Sequence, residues 1–103
     1  MTRRDALIEV IEALHAEISA LKANDVAALE KATRDKLASI DTVSLYDGQA
    51  PTADVQELAE EAHRLNEMSR IYVNLMAANV RRRLQLLSGQ AAPAYSPAGY
   101  ALA

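Results

Sequence analysis

Two Glu-x-x-His spacings, Glu12-Ala-Leu-His15 and Glu60-Glu-Ala-His63, are the residues of this chain whose types and spacing best suit chemistry. Three residues apart on a helix, a glutamate and a histidine share one face, which is the ligand pattern of di-iron helical bundles. Such a site needs both motifs at one level, with further bridging glutamates. In a two-helix hairpin turning near residue 49, His15 lies opposite about residue 83 and His63 opposite about residue 35. At ~1.5 Å per residue the motifs are then ~30 Å apart. The spacing therefore predicts no metal site, with both histidines at the border of the apolar seam.

Other chemistry finds less support. No Gly-rich phosphate loop and no His-Glu-x-x-His occur. Ser19, Ser39, Ser44, Ser69, Ser88 and Ser96 have no evident base nearby in sequence, and there is no cysteine to act as a thiolate or zinc ligand. Asp35, Asp41 and Glu60-Glu61 read as solvated helix faces, with Glu60 and Arg64 spaced for an i,i+4 pair. Arg81-Arg82-Arg83 suits contact with nucleic acid or an acidic client, but positive charge closing a helix against its dipole is the simpler reading. The expectation is a chain that is not an enzyme and needs no cofactor. A net charge of −3 disfavours nucleic acid as the main partner. No run nears the roughly 20 apolar residues that span a membrane. Glu9 and Glu12 interrupt the only stretch, Ala6-Leu7-Ile8, that follows Arg3-Arg4 in the manner of a leader; a cytoplasmic location is expected.

The elements that position these residues follow from periodicity and punctuation. Thr2 with Asp5 makes a capping-box pattern. Leu7, Ile11, Leu14, Ile18 and Leu21 recur in steps of four and three, and the seam resumes with Leu29, Leu37 and Ile40. This predicts one long helix over about 3–45, with Asn24-Asp25 as the place for a kink or break. Asp47-Gly48 and Pro51 are turn chemistry. Asp54 is expected to cap a second helix over 54–87, which Gly89 stops. The fold class expected is all-α, an antiparallel long-helix hairpin over 1–89, completed alone or by dimerisation, with a flexible Pro/Ala/Tyr tail over 90–103.

Plotted at ~100° per residue, the second helix has two apolar stripes. Leu58, Ala62, Leu65, Tyr72, Met76, Val80, Leu84 and Leu87 form one. Met68, Ile71, Leu75, Ala78 and Leu86 form the other, and a single partner helix covers only one. Burying a large apolar side chain contributes roughly 1.5–3 kcal/mol, so the second stripe calls for an occupant. Self-association into a four-helix bundle and a groove for a client protein both answer that demand.

Several residues then form a pattern: Glu17-x3-Leu21-x2-Asn24-Asp25-x3-Leu29-x6-Lys36, then Leu65-Asn66 onward to Leu84-x2-Leu87, then Tyr95-Ser-Pro-Ala-Gly99. In these the chain resembles the FlgN-like flagellar export chaperones, whose Tyr-Gly-x-x-Gly element follows the last helix. Ser96 stands where that family usually has glycine, and Ser69 where a second asparagine is common. The resemblance implies a cytoplasmic chaperone of the flagellar type III secretion system. Such a protein holds hook-associated (hook–filament junction) proteins before export, without nucleotide or metal. It further implies client binding by Met68, Ile71, Leu75, Ala78 and Leu86, and docking to the export gate by Tyr95 and Gly99.

Overall fold

A computed structural model describes residues 1–89. They form three helices, α1 (Arg3–Ala23), α2 (Val26–Ser44) and α3 (Ala53–Leu87), with no strand among the described residues. The all-α expectation holds. The described residues divide into two units, Met1–Val73 and those from Asn74 on, and α3 contributes to both.

The single helix expected over 3–45 is instead two. Asn24 adopts a left-handed conformation (φ 56°, ψ 36°). Its N–H donates to the Leu21 carbonyl (3.3 Å) and the Asp25 N–H donates to the Ala20 carbonyl (2.9 Å), the two bonds of a Schellman stop. Asp25 then caps the next helix, its carboxylate accepting from the Ala28 N–H at 3.0 Å. One residue ends α1 and the next begins α2. A connection this short forces the two helices antiparallel.

At its other end α1 begins as the sequence predicts. The Asp5 N–H donates to Thr2 Oγ1 (3.1 Å) and the Thr2 N–H donates to Asp5 Oδ2 (3.0 Å), closing the capping box. Side chains near this end hold the loop before α3. The Tyr46 hydroxyl donates to the Met1 carbonyl (2.7 Å), and the Arg3 guanidinium donates to the Gln49 carbonyl (2.8 Å). Gly48 supplies a φ of 95° within that loop. Thr52, not Asp54, accepts from a first-turn amide of α3, the Val55 N–H at 3.3 Å; Asp54 pairs with Arg4 instead.

Within Met1–Val73, α3 runs parallel to α1, Arg4 meeting Asp54 and Glu17 meeting Ser69, a register near 50 residues. α1 serves two neighbours with two faces. Val10, Leu14 and Ile18 gather around Leu65 of α3, with Ile11, Val43, Ala62 and Tyr72 at the margin. Ala6, Ala13 and Ala20, seven residues apart and all buried, turn a second face toward Ala32 and Ser39 of α2, which are also buried and seven apart. Small side chains on both helices let the axes approach closely, since interaxial distance follows the residues at the contact. This is why Leu37 and Ile40, expected in the seam, are 55% and 44% exposed. The α2 face toward α1 is built of small residues, and its larger side chains fall outside it.

Glu17 lies between the two faces of α1 and is 3% exposed. Its carboxylate accepts from Thr33 Oγ1 of α2 (2.7 Å), Ser69 Oγ of α3 (2.9 Å) and Lys36 Nζ of α2 (3.2 Å). Lys36 also donates to Asn66 Oδ1 (3.4 Å). A buried carboxylate is tolerable when it is paired and hydrogen-bonded, and here both of the other helices contribute a partner.

Two outcomes follow for stability. Chemical denaturation should show Leu14→Ala and Leu65→Ala each losing about 2–4 kcal/mol, against less than ~1 kcal/mol for the exposed Leu37→Ala. Lys36→Ala should lose roughly 3–5 kcal/mol, because it strands a buried charge. A loss for Lys36→Ala no larger than that of Lys31→Ala, which removes a surface ion pair, would show that Glu17 does not need its counter-charge.

Candidate functional site

The two Glu-x-x-His motifs are not ~30 Å apart. That separation presumed a continuous first helix. With α1 ending at Ala23 and α3 running parallel to it in a register near 50 residues, His63 stands within about one helical turn of Glu12 in level. Level alone does not make a site. His15 and His63 are exposed, and among the described residues no group of three His, Cys, Asp or Glu side chains gathers to hold an ion.

Serine chemistry also changes in detail. Ser69 does meet a carboxylate, that of Glu17, but the pair is enclosed in the helix interface. Ser39, Ser44 and Ser88 donate to the carbonyls of Asp35, Asp41 and Gln85, the local back-bonding common for serine in helices. Arg64 pairs with Glu61, not with Glu60. The acid strengths that are displaced belong to helix-surface pairs. The Thr2 backbone N–H, then its hydroxyl, holds the Asp5 carboxyl below its ordinary value. A hydrogen bond from Arg70 lowers Glu67, and the same bond raises Arg70. These are the signatures of capping and i,i+3 pairing.

Apolar surface is the more informative feature. In the first unit Met68 and Ile71 are 37% and 54% exposed, while Leu65 is 3%. From Asn74 on, Leu75 is 61% exposed and Leu86 59%, and Ala78 is exposed with them. Leu75, Ala78, Asn79 and Arg82 border one shallow concavity. The proposed client residues are thus at the surface of their own units.

The same segment corrects the sequence reading in two ways. Val80, Leu84 and Leu87, assigned to the covered seam, are 49%, 60% and 84% exposed. A 35-residue helix carries more seam than helices of 21 and 19 residues can cover. Arg81-Arg82-Arg83 do not close the helix: α3 continues to Leu87, and its last turn holds no basic residue. The macrodipole acts over the last turn, so it gives no account of these arginines.

A further surface was invisible in the sequence. Ile40 and Val43 of α2 and Ala59 and Ala62 of α3 flank a cleft of about 220 Å³ floored by Leu7, Val10 and Leu14. Tyr95 and Gly99 lie outside the described residues. Of the residues that carry the family resemblance, Glu17, Lys36 and Asn66 meet in one polar node, which Ser69, a departure from that pattern, completes. Their role there is to join helices. Comparison with protein-family models, with curated proteins and with solved structures yields no match.

Proposed function

We propose that this chain is a cytoplasmic chaperone of FlgN-like type that holds a hook-associated flagellar protein before export. The observation that carries the reading is the exposure of Leu75 and Leu86, large apolar side chains on a helix whose stability is secured elsewhere. Hook-associated subunits have terminal segments that become amphipathic helices on assembly and would associate prematurely if left free. An apolar helix face lets such a segment lie down and leave again, with methionine and leucine adapting to its contour. The role uses no catalysis, metal or nucleotide. Tyr95 and Gly99 would present the loaded chaperone to the export gate, a flat ring with a hydroxyl being suited to a wet interface.

Leu75→Glu should weaken binding to a purified, monomeric hook-associated protein by roughly tenfold or more, the effect of losing a buried leucine contact of at least ~1.4 kcal/mol. Its melting temperature should stay within a few degrees of wild type, as expected for a surface change. Calorimetry of both proteins checks the two statements together. A collapse of Leu75→Glu comparable with that of Leu65→Ala would make the stripe part of the core and end the reading.

Tyr95→Ala should leave helix content and melting unchanged and reduce binding to the purified export-gate domain. Equal gate binding with a lowered melting point would mean that Tyr95 packs on its own chain, and the docking role would be withdrawn.

A further inference from the structure

Charge in this chain is segregated. All 14 acidic side chains lie at or before Glu67. Of the 11 basic ones, Arg81, Arg82 and Arg83 are the only charged side chains from Asn74 onward, leaving eight before it and a net of −6 there. Among the described residues no carboxylate pairs with any of the three arginines, and the helix terminus does not account for them.

Their arrangement is more telling than their number. Consecutive residues are ~100° apart on a helix, so three in succession spread guanidinium groups over ~200° of the circumference and leave ~160° without one. Met76, Val80, Leu84 and Leu87 share an arc that Arg83 and Arg81 border on opposite edges. Leu75, Ala78 and Leu86 share the reverse, where Arg82 sits among them and lines the same concavity as Leu75 and Ala78. Whichever apolar face a partner covers, it meets an arginine. Two copies packed together through the face of Leu75, Ala78 and Leu86 would set Arg82 against Arg82. An anionic bilayer would attract the segment but repel the −6 remainder, and residues 74–89 hold no aromatic residue to anchor at a lipid interface.

We propose that the site of Leu75, Ala78 and Arg82 selects an acidic amphipathic helix, with a partner carboxylate on Arg82. This rests on the client reading above and names the chemistry of the client segment. Arginine suits the task, since its planar fork donates two parallel hydrogen bonds to a carboxylate. Apolar contact supplies attraction, and the charge decides which amphipathic segments are accepted and which are refused.

The test uses the full chain and three synthetic helical peptides with identical apolar positions, flanked by Glu, Gln or Lys. Fluorescence anisotropy should show the Glu peptide binding about three- to tenfold more tightly than the Gln peptide, and the Lys peptide most weakly. That preference should shrink as salt rises from about 0.05 to 0.3 M. Arg82→Gln should erase most of it, and Arg82→Glu should reverse it toward the Lys peptide, both with unchanged melting. No charge preference, or one indifferent to Arg82, overturns the proposal. So does Arg82-dependent binding to vesicles about one-third phosphatidylserine without peptide binding, which would make the occupant a membrane. A self-associated chain that the Glu peptide cannot disperse in sedimentation would make it a second copy, and again overturn it. Leu75-dependent capture of a hook-associated protein without any Arg82 effect would leave the client reading standing and remove only the charge rule. An Arg82-dependent preference without such capture would do the opposite.

Discussion

The buried carboxylate of Glu17 is the constraint around which the first unit is arranged. A charge 3% exposed cannot be left without partners, and the three that it has are drawn from both other helices. Thr33 and Lys36 fix the rotation and level of α2, and Ser69 fixes those of α3. Apolar contacts alone would allow α3 to slide by a turn along α1, since Leu65 could find a similar bed between other leucines. A hydrogen-bonded charge does not slide, because each alternative register strands it. Such a node adds little net stability over a hydrophobic replacement of the same shape. What it adds in this protein is a single register, a role that polar groups in helix interfaces are known to play.

That register explains how the two faces of α1 can differ so much. The alanine face admits α2 closely, and the leucine face holds Leu65 of α3. Glu17 stands where these faces meet, so its carboxylate can reach both neighbours. Lys22 adds a weaker pin at the far end, its ammonium 5.6 Å from the centre of the Tyr72 ring. Surface pairs such as Arg4–Asp54, each side chain more than half exposed, contribute far less.

The sequence was legible where structure is local. The capping box at Thr2 and Asp5, the turn at Asp47-Gly48, the stop near Gly89 and the absence of strands among the described residues could all be read from residue types within a few positions. Asn24-Asp25 was recognised as a weak point. That it is a full reversal depends on Asn24 ending one helix and Asp25 starting another, two adjacent choices that a kink would not need. The consequences spread from there. A continuous helix misplaces the level of His15 against His63, overestimates how far the seam of α3 is covered, and puts Leu37 and Ile40 inside. Nothing local marks Glu17 for burial, because one acid within an apolar repeat looks like an ordinary solvated position. Only partners 16, 19 and 52 residues away reveal it.

The buried cluster belongs to one part of the chain, while exposed apolar side chains occur in both. The polar node and the Leu14–Leu65 cluster lie within Met1–Val73, whereas Leu75, Val80, Leu84, Leu86 and Leu87 carry exposed apolar surface in the segment that follows. An α-helix satisfies its own backbone hydrogen bonds, so such a segment can keep its form without burying a face. Three arginines among those leucines raise its solubility when nothing covers it. They also penalise contact with another copy of the same segment, which hydrophobicity alone would promote. An exposed apolar helix face stays dispersed only where charge offsets its tendency to associate. Arg81-Arg82-Arg83, away from the last turn of the helix, sets that charge among the apolar residues with one short run of sequence.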